Sequence, residues 1–275
     1  MTSTTTVDRP EPYRIDHPTI RIVMSDMVLS RTDLGPDDRV PSFDLPTTDG
    51  GRFRSADLAA DDRPVLLVFG SLTCPVTESS AAGIRDLHSR YGDRIRFVLV
   101  YVREAHPGAT TPQPKTLEQK QRNATALRAR HGFPFEVAVD DIDGALHRAF
   151  GPRPNSAYLI DPSGVIVFRA QWANVTGALG DALAAVAAKK PPRSAAVGHT
   201  ARAMAAMTGH ADAAFATAGK GALRDTWKVA PPFGAAILLS RLFSFLPPGR
   251  RGLPTMALMG LMTAAALMGM VILLL

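Results

Sequence analysis

The chain has 275 residues, a hydrophobic fraction of 46% and a net charge of +6, room for one sizeable domain plus appendages. A single cysteine excludes an internal disulfide framework or a thiolate metal cluster and suggests a reducing compartment, and the seven histidines show no ligand spacing, so no metal is expected. Much of the basic excess falls outside the central region, at Lys189, Lys190, Arg193, Lys228, Arg241, Arg250 and Arg251, and no basic stripe is interleaved with aromatics, so nucleic acid is not an expected partner.

In chain order, residues 1–36 are polar and read as a mobile arm, within which residues 20–24 form an edge strand or a short helix. Residues 1–12 hold no apolar h-region, so export by a signal peptide is not expected. A short extended segment at 39–46 and a turn at Asp49, Gly50 and Gly51 open the domain, which is placed at 37–188. Strand and helix patterns then alternate: strand 65–69, helix 77–91, strand 95–102, helix 117–131, strand 135–139 and helix 142–150. A hairpin of 157–160 and 165–168 turns on Asp161, Pro162, Ser163 and Gly164, and a helix over 175–188 closes the domain. This order specifies an α/β sandwich with a mixed central sheet.

Beyond the domain, 189–232 reads as a flexible or partly helical spacer rich in Ala, Thr, Gly and Met. Residues 233–246 are apolar but short and contain Arg241, which suits a helix lying in a membrane interface. Residues 253–275 carry no charge and, at about 1.5 Å per residue, are long enough to cross a bilayer. Arg250 and Arg251 precede them, so a single-pass tail anchor is expected in the cell membrane, with the domain on the cytoplasmic side.

Cys74 follows the first core strand and precedes the first core helix. Backbone N–H groups at a helix start stabilise a thiolate, so a nucleophile of lowered pKa is expected there. The strands at 65–69 and 95–102, joined by a helix, are expected to be parallel. Their C-terminal ends then share one edge, which brings Glu104 and His106 towards Cys74. An antiparallel strand at 157–160 would add Pro154 and Asn155. The hydroxyls of Thr73 and Thr77 are within reach of the sulfur in sequence, and Glu104 is placed either to orient His106 or to pair with Arg103. Histidines 88, 131 and 147 read as surface or helix-end residues, and Trp172 and Tyr158 as packing.

Four motifs occur in order: Phe69-Gly70-Ser71-Leu72-Thr73-Cys74-Pro75, then Tyr101-Val102-Arg103-Glu104-Ala105-His106, then Val139-Asp140-Asp141-Ile142-Asp143-Gly144, then Pro154-Asn155-Ser156-Ala157-Tyr158-Leu159-Ile160. Together they resemble the iodothyronine deiodinase family, within the wider thioredoxin and peroxiredoxin-like group. The resemblance runs from about residue 37 to 188. It implies a thioredoxin-like fold, a reductive thiol-dependent oxidoreductase with Cys74 as nucleophile, a proton-handling or substrate-contacting role for His106, and a cis Pro154 that shapes the site. Three departures stand out: cysteine in place of selenocysteine, Ser156 in place of an arginine, and an anchor at the C-terminal rather than the N-terminal end. No cofactor is implied beyond an external thiol, supplied as a small reductant or by a thioredoxin-type protein, because Thr77 fills the usual resolving position. Further expected partners are a small-molecule substrate and the membrane, with a homodimer left open. A one-cysteine peroxiredoxin and a non-catalytic binding or scaffold module stand as alternatives.

Overall fold

The computed structural model describes residues 13–28, 30 and 32–274. In chain order these form helix α1 (Ile20–Asp26), strands β1 (Asp44–Pro46) and β2 (Arg52–Arg54), β3 (Val65–Gly70), α2 (Pro75–Tyr91), β4 (Arg96–Tyr101), α3 (Leu117–His131), β5 (Glu136–Val139), α4 (Ala145–Ala149), β6 (Ala157–Ile160), β7 (Ile166–Ala170), α5 (Thr176–Ala187) and β8 (Ala196–Val197). Five helices follow: α6 (Thr200–Thr208), α7 (Ala211–Ala218), α8 (Ala222–Val229), α9 (Pro231–Ser240) and α10 (Pro248–Leu274).

The apolar run of β3 is buried along its whole length because it lies in the middle of the main sheet, whose order is β5-β4-β3-β6-β7-β8. Its neighbours are β4, parallel, and β6, antiparallel. Alternation along β3 feeds two cores. Leu66 and Val68 face Ile84, Leu87, Leu127 and Leu183, carried by α2, α3 and α5. Leu67 and Phe69 face Phe43, Phe53, Phe150 and Tyr158, carried by the β1–β2 hairpin, α4 and neighbouring segments. Each such side chain contributes about 1.5–3 kcal/mol of transfer free energy. This is the thioredoxin-like sandwich with a mixed sheet that the sequence implied.

The two ends of the chain depart from expectation. The described part of the arm is held against the domain: Arg103 donates to the Tyr13 carbonyl at 2.8 Å and Gln113 to the Ile15 carbonyl at 2.8 Å. Residues 20–26 are helical, with Thr19 as N-cap. The segment expected as a flexible or partly helical spacer is helical over α6, α7 and α8, and it is packed rather than loose. Its small residues let backbones meet: a Cβ added at Gly252 on α10 would lie 1.7 Å from the Ala205 carbonyl oxygen on α6, and one at Gly209 2.0 Å from that of Pro248. Composition rich in Ala and Gly signalled close helix packing here, not a linker.

The 233–246 segment, expected as interfacial, buries Ala236 and Ile237 against the neighbouring helices and exposes Leu238, Leu242 and Phe245. Its Arg241 pairs with Asp212 at 2.8 Å. The last helix starts at Pro248 rather than 253, so Pro254 lies inside it and not in its first turn. Beyond Thr255, α10 is mostly exposed: Leu261 is 70% and Met268 63% accessible. Among the described residues it is the one helix long and apolar enough to cross a membrane, over Pro248–Val271.

Candidate functional site

Cys74 is the N-cap of α2, in extended conformation, with Pro75 as the first helical residue. Proline is suited there because its missing N–H has no intrahelical partner to lose. The loop before it is fixed from three sides. Asn155, just before β6, donates to the Phe69 carbonyl at 2.9 Å and to Thr77 Oγ1 at 3.3 Å. Thr77 Oγ1 also accepts the Ser71 N–H at 3.3 Å. Ser71 Oγ in turn accepts the Ala105 N–H at 3.2 Å, tying the cysteine loop to the segment after β4.

Glu104 is the hub of that tie. Fully buried, its Oε2 accepts the Thr73 N–H at 3.0 Å and the Thr73 hydroxyl at 2.8 Å. Its Oε1 accepts the Tyr101 hydroxyl, and the Asn123 amide at 3.2 Å. Burial raises the Glu104 pKa, while these donors pull it down. The carboxylate therefore neither orients the His106 ring nor pairs with Arg103, as the sequence suggested. It reaches His106 only through Thr73, whose hydroxyl oxygen accepts the His106 N–H at 3.2 Å. Of the two threonine hydroxyls, that of Thr73 is committed to Glu104 at 2.8 Å, which leaves Thr77 as the one that pulls the Cys74 pKa down.

Cys74 opens onto a cavity of about 450 Å³ whose walls come from the sandwich and from segments on both sides of it in the chain. Pro75, His106, Pro154 and Trp172 belong to the sandwich; Ile22 and Asp26 to α1; Met207, Phe233 and Met256 to the C-terminal helices. The walls are chiefly apolar. His106 rests edge-on against Phe215, and its Nδ1 lies 3.4 Å from the Thr226 hydroxyl of α8. His147, read as a surface or helix-end residue, lies in the last turn of α4 but is buried in the wall, its Nδ1 2.9 Å from the Tyr13 hydroxyl and its Nε2 2.8 Å from the Arg153 carbonyl. Trp172, expected only to pack, lines the same cavity and donates to Thr200 at 3.1 Å. No cis peptide occurs among the described residues, so Pro154 is trans.

The enclosure decides the ionisation of the sulfur. A helix N-terminus is worth about 0.3–2 kcal/mol to an anion, whereas burying an ion costs several kcal/mol. Burial accordingly pushes the Cys74 thiol up, outweighing its hydrogen bonds from Thr77 and Val76. Burial lowers the pKa of His106 to about 4. In the closed cavity the pair is thiol and neutral imidazole, the reverse of the lowered-pKa thiolate expected from the helix start.

Nothing in the sequence pattern signals the apolar roof that α1 and the C-terminal helices place over Cys74. The pattern of residues 200–240 carries no chemistry-bearing motif, and only contact with the sandwich makes Met207, Thr226 and Phe233 part of the site. Asp26 was missed for the same reason, since it lies outside every motif.

The family model for iodothyronine deiodinase matches residues 20–174. The chain is 32% identical over 125 residues to a thyroxine 5-deiodinase of Gallus gallus, covering 42% of this chain and 48% of that protein. It is 41% identical over 116 residues to a type II iodothyronine deiodinase of Fundulus heteroclitus, covering 37% and 44% respectively. The chain thus spans about half the length of the relatives it matches. Among solved structures, a peroxidoxin of Mycobacterium tuberculosis is similar over 55% of this chain and 95% of its own, at 20% identity and a TM-score of 0.42.

Proposed function

Since the chain belongs to the iodothyronine deiodinase family, we propose that it is a membrane-associated, thiol-dependent oxidoreductase that reduces a small apolar substrate at Cys74. The observation that carries this reading is the placement of the sole thiol of the chain on a chiefly apolar cavity of about 450 Å³ that it shares with His106. A buried thiol with a packing role alone needs no cavity, whereas a nucleophile needs room for its substrate.

The thiolate attacks an electrophilic atom of the substrate, and the sulfur leaves the step oxidised by two electrons. Thr226 donates to the Ala222 carbonyl at 2.9 Å, so its oxygen accepts from His106 Nδ1–H and leaves Nε2 as the base. Glu104, Thr73 and Asn155 position the cysteine loop. No second cysteine is available to resolve oxidised Cys74, so an external small thiol or a thioredoxin-type protein restores it. The exposed apolar length of α10 supports insertion in a bilayer, and Arg250 and Arg251 favour the cytoplasmic side for the sandwich.

The test is turnover by the full-length protein, with added dithiothreitol, on iodinated phenols, disulfides and organic peroxides. Cys74→Ser is expected to abolish any activity found while keeping the melting temperature. Wild-type turnover in that variant, or none on any substrate in the wild type, would sink the reading.

A further inference from the structure

The reduction needs a proton as well as a nucleophile. Where the bond broken is carbon–halogen or O–O, its electron pair ends on a carbanion or an alkoxide, a poor leaving group until protonated, whereas a disulfide releases a thiolate that leaves without a proton. A substrate filling the cavity displaces water, so the proton must come from the wall.

Few wall groups can supply it. His147 has both ring nitrogens engaged, by Tyr13 and by the Arg153 carbonyl. Thr226 spends its hydroxyl hydrogen on Ala222. Arg103 donates to the Tyr13 carbonyl at 2.8 Å, and a guanidinium does not give up its proton. His106 at rest holds its one proton towards Thr226 and gains a second on Nε2 only by taking it from Cys74, which makes it the competing donor that the Asp26 variants must separate.

Asp26 is different. It lines the cavity from the C-terminal end of α1, and its buried Oδ1 has no hydrogen-bond partner. Buried polar atoms are nearly always paired, so such an orphan calls for an occupant. Its backbone is held in place: Gln171 donates to the Asp26 carbonyl at 2.7 Å, and Arg153 to that of Ser25 at 2.6 Å.

We propose that Asp26 is the general acid of the site, protonating the fragment that leaves when Cys74 attacks. The proposal rests on Cys74 as nucleophile, not on any one physiological substrate. For a hydroperoxide, the thiolate attacks the terminal oxygen: an S–O bond forms and the O–O bond breaks. The electron pair goes to the inner oxygen, which takes the Asp26 proton and leaves as an alcohol. Cys74 becomes a sulfenic acid, which two equivalents of external thiol return to thiol with release of water and a disulfide. For an aryl halide the thiolate attacks the halogen: an S–halogen bond forms, the carbon–halogen bond breaks, its electron pair and the Asp26 proton go to the ring carbon, and two equivalents of external thiol return the sulfenyl halide to thiol with release of hydrogen halide and a disulfide.

The surroundings suit an acid. Burial raises the Asp26 pKa to about 7, against the opposing pull of Arg103 and Arg153. Arg153 is itself neutralised by Asp33 at 2.8 Å. The remaining titratable groups of the wall are His106 and His147, both kept neutral by burial, and Cys74, which the Asp26 charge pushes up.

Two single-turnover reactions of the full-length protein in detergent test this: oxidation of Cys74 by cumene hydroperoxide, and its alkylation by iodoacetamide. Iodide leaves without a proton, so alkylation needs no acid. Asp26→Asn is expected to slow oxidation, corrected to the thiolate fraction, by about tenfold or more. It should leave alkylation equal or faster, because a negative charge beside the sulfur is gone. The wild-type oxidation rate per thiolate should fall above about pH 7, that of the variant should be flat, and Asp26→Glu should recover part of the rate. A smaller loss, equal slowing of both reactions, or a wild-type rate per thiolate no higher than that of free cysteine would overturn the assignment. Failure of turnover on the substrate panel would count against the enzymatic reading and leave these two rates still decisive.

Discussion

The floor and the roof of the Cys74 cavity are built on opposite principles. The floor rests on a polar layer behind the cavity lining: Asn155, Thr77, Ser71, Thr73, Tyr101, Asn123 and Glu104 carry the hydrogen bonds that hold the cysteine loop at the C-terminal edge of β3 and β4. The roof is apolar: Ile22, Met207, Phe233 and Met256 close the space with few polar groups. A network fixes position, because each bond constrains distance and direction. An apolar lid fixes dielectric, because it excludes water from the charges beneath it. The floor therefore decides where the sulfur sits, and the roof decides whether it is charged.

This division can be broken at several points. The largest effect is expected at the junction of the two, where His106 belongs to the floor by its backbone and to the roof by its ring. His106→Ala should lower turnover on any substrate found by about 10²–10⁴-fold with little change in melting temperature. A loss below about tenfold, or a large fall in that temperature, would make it a packing residue.

In the floor, Glu104→Ala strands the Thr73, Tyr101 and Asn123 donors that the carboxylate now satisfies. Each buried orphan costs about 1–3 kcal/mol, so calorimetry should find a destabilisation of about 3 kcal/mol or more. Glu104→Gln, which keeps the shape and an acceptor oxygen, should cost less. Equal costs would mean that the network is not what holds the loop.

Closure also predicts acid sensitivity. An unfolded histidine takes up a proton at about pH 6.5, but His106 in the fold resists until about pH 4. Between those values the unfolded chain binds more protons, so stability falls as pH falls. The gap corresponds to at most about 3 kcal/mol for this residue, and buried His147 acts in the same direction. Buried Asp26, with its pKa raised to about 7, acts in the opposite direction over the same window, so the His106 contribution is read as a difference: relative to His106→Gln, the melting temperature of the unaltered protein should fall from pH 7 to 4.

A smaller effect is expected from wetting the roof. Phe233→Gln should speed Cys74 alkylation at pH 7 several-fold by easing the thiolate's desolvation, whereas unchanged alkylation would show that the roof does not control the sulfur.

The same contrast explains what could be read in the chain. The floor was legible because strand and helix periods specify it: Val65–Gly70 and Arg96–Tyr101 came out parallel, and the order of elements brought Glu104, His106 and Asn155 to the edge that carries Cys74. The specific bonds were not legible, since spacing puts Glu104 near His106 without saying that Thr73 stands between them. The roof was read as a spacer because its residues show no local signature; Gly252 and Gly209 acquire meaning only when Ala205 and Pro248 lie against them. That miss carried over to the sulfur. A helix start alone argues for a thiolate, and only a lid from a distant part of the chain reverses the sign.

The most direct test of the central claim is the rate of Cys74 alkylation by iodoacetamide in the full-length protein, measured across pH. With no other cysteine in the chain, the titration reports this sulfur alone. If the roof governs its ionisation, the midpoint lies above the free-cysteine value of about 8.5 and falls towards it in Phe233→Gln. A midpoint near or below pH 7 in the unaltered protein would contradict the account and return control of the thiol to the start of α2.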